Sequence, residues 1–326
     1  MAPLRVRLPN TSEAANARPR YALFPPRRSA RLPVRRHRPR FTFAQARMVP
    51  IVAFIGAKGG TLKSACTLSV GTEIARRGYR VALVDCDPQA TTTRALPERN
   101  ADGAEAPITT VPDPLTAPPV QIELDQVAAG GGTLTVYRSG ASFWSAQREA
   151  VTAHVRRAMQ GADLVLVDTV PVLGDISLAV AASADLVVVP TAPTADDLDA
   201  VDYVIAAIHE SVDRAKPVRI VLTKAISGRR NTREALELLR GKYPDFVYPT
   251  VIPHRTTGET ANMYLRPAVL YDEVVGDGTL AKAYQALADH IASDVQLGAA
   301  PQSSVPDSAA RSTRQRGKTR TARKAS

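Results

Sequence analysis

Two lysines, a glycine pair and a hydroxyl stand together in Lys58-Gly-Gly-Thr-Leu-Lys-Ser64, directly after the apolar run Val49-Pro-Ile-Val-Ala-Phe-Ile55. Glycines let backbone amides approach an anion, an ammonium neutralises phosphate oxygens, and a serine hydroxyl ligates Mg²⁺. Two more apolar runs end in carboxylates. Arg80-Val-Ala-Leu-Val-Asp-Cys-Asp-Pro-Gln89 delivers Asp85 and Asp87, and Asp163-Leu-Val-Leu-Val-Asp168 delivers Asp168 before Thr-Val-Pro-Val-Leu-Gly174. Carboxylates beside a magnesium nucleotide suit the holding of metal-bound water and the activation of an attacking one.

Such residues need elements that aim them. The segment 65–75 spaces its apolar residues as a helix does, so the glycine loop opens a helix whose free N–H groups and positive dipole end face an anion. Strand-like runs alternate with helical stretches at 195–212, 231–242 and 279–295, which implies parallel strands joined by right-handed crossovers. The expected fold is α/β: a doubly wound, mostly parallel sheet flanked by helices, with the nucleotide at its carboxyl edge.

The loop departs from the phosphate-loop pattern G-x-x-x-x-G-K-[ST] at both glycines, where Ala57 and Leu62 stand instead. What remains is the chemical part, Lys63, Ser64 and Gly59-Gly60, with Lys58 as an added cation. Leu62 places a side chain in a loop that needs unusual dihedrals, so ATP binding with slow hydrolysis is the expectation.

The form K-G-G-x-x-K-[ST] at 58–64, D-x-D-P-Q at 85–89 and D-x-x-P at 168–171 resembles the ParA/MinD family of deviant Walker A P-loop ATPases, and Asp-Cys-Asp-Pro-Gln is closer to its ParA branch. The likeness continues through 184–191, 219–224 and 250–255, covering about residues 49–295. It implies roles at matching positions. Lys63 holds the β- and γ-phosphates, within a cradle of Gly59, Gly60, Thr61, Leu62, Ser64 and Ala65. Ser64 binds Mg²⁺ directly, and Asp85 and Asp168 bind it through water. Asp87 positions or activates the attacking water, Lys58 reaches the partner's nucleotide in an ATP-sandwiched homodimer, and Thr223 and Pro253 fall near positions that line the adenine pocket.

Charge divides the chain. Residues 1–47 hold 12 Arg against Glu13 alone, and residues 311–326 carry seven cations and no acid, so 48–310 is left at −7 of the overall +11. The reading is an arm at 1–47, an ATPase domain at 48–297 and a basic tail at 298–326, both ends disordered by composition. A tail of seven cations suits salt-dependent, sequence-independent DNA contact, although such runs also merely solubilise a terminus. Met48 sits directly before the first core strand, so Met1 and Met48 both stand as possible starts.

Segment 97–131, with Pro97, Pro107, Pro112, Pro114, Pro118, Pro119 and three glycines from Gly130, reads as a long surface loop. Cys66 and Cys86 read as small buried thiols, the helical histidines as packing or surface groups, and Trp144 as a core or helix-start anchor. Arg229, Arg230 and Arg233 stand as a solvated helix start or part of a DNA face. No run is apolar and long enough to span a bilayer.

The resemblance implies a DNA-segregation ATPase, cytoplasmic and nucleoid-associated, with a ParB-like partner that stimulates hydrolysis and no membrane contact. Three alternatives stay open: a MinD-like positioning switch, for which 298–326 lacks an amphipathic face; an ATP-dependent ligase or amidase of the same superfamily, which usually lacks a Lys58; and a nonenzymatic adaptor.

Overall fold

The computed structural model describes residues 49–99, 102 and 104–300. The arm 1–47 and all but 298–300 of the tail lie outside the described residues. The chain opens with β1 (Ile51–Phe54), α1 (Lys63–Arg76), β2 (Arg80–Asp85), α2 (Thr91–Arg94), β3 (Pro97–Arg99), β4 (Glu105–Pro107) and β5 (Val120–Ile122). It continues through α3 (Asp125–Ala129), β6 (Thr133–Tyr137), α4 (Arg148–Arg157), β7 (Leu164–Asp168), α5 (Asp175–Ser183) and β8 (Leu186–Thr191). The last third is α6 (Ala195–Ser211), β9 (Val218–Ala225), α7 (Arg230–Lys242), β10 (Val247–Pro253), α8 (Thr256–Ala261), α9 (Ala268–Val275) and α10 (Thr279–Asp294).

Among the described residues eight strands form one sheet in the order β10-β9-β8-β1-β7-β2-β6-β5, parallel except where β5 runs against β6. β1, β7 and β8 are buried on both faces, and that is why they read as unbroken apolar runs with no polar alternation. Alternate residues serve opposite cores. Val52 and Phe54 join Leu83, Leu166 and Val188 on the face covered by α1, α9 and α10. Ile51, Ala53 and Ile55 join Val165, Val167 and Val187 on the other. Gly71 lets α1 lie close to the sheet, since a Cβ there would come within 2.6 Å of Leu83 Cδ2.

The expected doubly wound sheet is therefore what forms. The surface-loop reading of 97–131 is corrected: the segment supplies a small antiparallel pair, β3 with β4, then the edge strand β5 and the helix α3. Ile108, Ile122, Leu124 and Val127 are buried in the core. Proline spacing masked these anchors, because proline is tolerated at strand ends and sheet edges. Trp144 is also corrected: it is 66% exposed, and the buried aromatic of its 3-10 turn is Phe143. Cys66 and Cys86 are free and buried, and burial pushes both thiols up. No helix among the described residues is long and apolar enough to cross a membrane.

Candidate nucleotide site

Asp168 is the register partner of Phe54 on one side and of Asp85 on the other. The loop after β1, the turn after β2 and the end of β7 thus meet at one point of the carboxyl edge. This is where strand order reverses about β1, the position that open α/β sheets use for ligands.

The loop between β1 and α1 turns through two left-handed residues, Gly60 at φ 80° and Leu62 at φ 63°. Leu62 is the N-cap of α1, yet no side chain caps the helix and its first turn holds no acid. The uncapped amides are those an anion takes up. Leu62 keeps its strained conformation by packing its half-buried side chain against the core that includes Phe54 and Leu68. Lys63 is buried, 6% exposed, while Gly59 and Gly60 are open.

Thr223 holds the loop from below. Its hydroxyl lies 3.1 Å from the carbonyl of Thr61 and 3.0 Å from that of Thr191. The residue is fully buried, so its position is that of a brace under the loop. Pro253 ends β10, and the next amide, His254, donates to Ala225.

The three aspartates differ. Asp85 has no exposed surface, and its oxygens accept from the Asp87 amide, the Thr93 amide and the Thr93 hydroxyl. Burial, then the Asp168 charge, pushes its carboxyl up to about 8. Asp85 thus also braces the turn and α2, through three of the bonds that its carboxylate oxygens can accept. Asp168 accepts from the Thr92 hydroxyl at 2.7 Å and is engaged by Ser64, but its Oδ1 is buried without a partner. Burial raises this carboxyl too, while Lys63 and Ser64 hold it down. Asp87 is held by its own turn, with Oδ1 accepting from Gln89 and its carbonyl from Ser139.

A Mg²⁺ fits this set. An orphan carboxylate oxygen beside a serine hydroxyl suits a cation that keeps most of its waters, and among the described residues no cluster of three or more acidic, histidine or cysteine ligands offers another kind of metal site.

Lys58 reaches away from the cradle. Its ammonium lies 3.4 Å from Asp196 and 3.7 Å from Asp197 in the first turn of α6. Thr194 caps that helix and accepts from the Asp197 amide. Sequence reasoning missed Asp196 and Asp197, although Thr194-x-x-Asp197 has the spacing of a capping pair. It also missed Thr92, Thr93 and Ser139, whose hydroxyls carry no spacing signal.

Residues 52–264 match the model of the CobQ/CobB/MinD/ParA nucleotide binding domain. The chain belongs to this family. Soj of Bacillus subtilis, named a sporulation initiation inhibitor, is 26% identical over 69% of this chain and 92% of its own length. The chromosome-partitioning ATPase Soj of Thermus thermophilus is 29% identical over 75% and 96%. An ATP complex of a McdA variant from Cyanothece superposes with a TM-score of 0.59 at 14% identity, covering 78% of this chain and 98% of that one. The last likeness concerns fold alone. Within the ParA/MinD family, the loop at 58–64, the turn at 85–89 and Asp168 fall inside the matched region.

Proposed function

We propose that the chain is a ParA-like ATPase that acts in DNA segregation, switching between a monomer and an ATP-bound homodimer that holds DNA without regard to sequence. The observation that carries the reading is the cradle itself: uncapped α1 amides, a buried Lys63, open Gly59 and Gly60, and an orphan Asp168 oxygen beside Ser64.

In this reading Lys63 and the amides from Gly59 through Ala65 bind the phosphates. Ser64 and, through water, Asp168 hold Mg²⁺, which when bound neutralises charge on the phosphates. Asp87, with 6% of its surface exposed at the end of the turn, orients the attacking water. Thr223 fixes the floor of the loop, and Pro253 stands at the β10 side where the base lies. Lys58 leaves Asp196 to neutralise the other subunit's phosphates, so nucleotide supplies part of the dimer interface. Exposed Arg229, Arg230 and Arg233 at the start of α7 join the basic tail as DNA contacts, and a ParB-like partner stimulates hydrolysis. The protein then works in the cytoplasm on the nucleoid.

The test is binding of full-length protein to random duplex DNA at low and moderate salt with no nucleotide, Mg-ADP or Mg-ATP, alongside light scattering. DNA binding and dimers that appear only with Mg-ATP are expected. Binding indifferent to nucleotide reduces the DNA claim to tail electrostatics and favours an adaptor or ligase relative.

A further inference from the structure

Lys224 ends the straight part of β9 in a left-handed conformation, φ 50°. No turn glycine and no asparagine relieves that strain, and a non-glycine residue held this way at a strand end has been placed by something other than local preference. Its consequence is where the ammonium goes. A Cβ built on Gly60 would sit 3.8 Å from Lys224 Nζ, so the side chain crosses from β9 to the middle of the phosphate loop. The residue is half-buried and Gly60 is open. Among the described residues no carboxylate or carbonyl is bonded to this ammonium, whereas Lys58 has Asp196 and Asp197. The residue before it, Thr223, holds the carbonyl of Thr61 in the same loop.

A cation brought by a strained backbone to an open glycine, with no counter-charge among the described residues, is arranged for an anion that is not part of the described fold. We propose that Lys224 is a third cationic contact to the bound nucleotide, donating to the diphosphate oxygens that ADP and ATP share. The inference rests on the nucleotide reading of the cradle. Lys63 is buried at the start of α1 and Lys58 is turned to Asp196 on α6 for the other subunit's nucleotide; Lys224 closes the β9 side of the chain's own cradle. It adds binding to both nucleotides alike and does not discriminate the γ-phosphate.

The experiment is calorimetric titration of Mg-ADP and Mg-ATP into the full chain and its Lys224→Met and Lys224→Gly variants, with melting of each nucleotide-free protein. Loss of one charge-assisted hydrogen bond lowers affinity about tenfold or more, so both variants are expected to weaken by that factor for both nucleotides. Nucleotide-free Lys224→Gly is expected to melt at or above the parent, because glycine relieves the left-handed strain. Stability and affinity moving in opposite directions is a result that a merely structural lysine does not give. Variants that bind Mg-ADP within about twofold of a parent that binds well overturn the role of Lys224 alone. A Lys224→Gly protein that melts well below the parent overturns it as well. A parent that binds neither nucleotide removes the cradle reading, and this inference with it.

Discussion

Lys58 reaches out of the cradle to Asp196 in the first turn of α6, 3.4 Å from ammonium to carboxylate, with the Asp196 side chain 85% exposed. An ion pair this open contributes at most about 1 kcal/mol, so it restrains Lys58 without locking it. If Lys58 serves a second subunit, Asp196→Asn lowers the Mg-ATP concentration needed for half-maximal dimer by up to about fivefold and leaves the melting temperature nearly unchanged. Light scattering against ATP concentration reads this directly. A variant that needs more ATP than the parent shows that Asp196 acts in the dimer and not against it.

Thr223 carries a second expectation. Its hydroxyl is the described side-chain donor to the Thr61 carbonyl, and both sit in the interior. Thr223→Val keeps the shape and removes the donor, which strands a buried carbonyl at a cost of about 1–3 kcal/mol. Thr223→Ser keeps the donor. The valine variant is expected to melt lower and bind Mg-ADP more weakly, with serine close to the parent; equal nucleotide affinity in all three would show that the loop does not depend on this brace.

Much of the sheet is legible because β1, β2, β7 and β8 are buried on both faces and leave unbroken apolar runs, with β1 leading into the lysine loop and β2 and β7 ending in aspartates. The cradle is legible for the same reason: its chemistry is concentrated in seven consecutive residues. What escapes depends on distance in sequence. Thr223 meets Thr61 across 162 residues, and Lys58 meets Asp196 across 138, so neither contact leaves a local pattern. The left-handed backbone of Lys224 is invisible as well, since nothing in Leu-Thr-Lys-Ala announces a positive φ. In 97–131 the prolines and glycines dominate the pattern, while four isolated apolar anchors do the packing.

Leu62 allows two opposed effects to be separated. Replacing it with glycine relieves a left-handed strain of about 1–2 kcal/mol and gives up packing of a half-buried side chain worth about 1 kcal/mol. These nearly cancel, so Leu62→Gly stays within about 1 kcal/mol of the parent. Leu62→Ala loses packing and keeps the strain, and is less stable than the parent by about 1 kcal/mol. Denaturant melts that rank alanine above glycine would show that Leu62 is not strained by its backbone.

His154 sets an acid limit on stability. Its ring is 2% exposed, packs edge-on against Tyr137 and Phe143, and leaves Nε2 buried without a partner. Burial, then the Arg157 charge, lowers its basicity to about 4, despite opposing contributions from the Leu115 backbone and Asp113. The unfolded chain takes up a proton near pH 6.5 and the folded one only near 4. The unfolded state therefore binds more protons between those values, and stability falls as pH drops from 6.5 through 4. At pH 5 the loss from this group is about 2 kcal/mol, and it approaches about 3 kcal/mol below pH 4. His154→Phe removes the titration and fills the same aromatic niche, so its stability relative to the parent is expected to rise as pH falls from 7 to 5. Urea denaturation at those two pH values decides the matter: a constant difference between the proteins would mean that His154 is protonated as readily when folded as when unfolded.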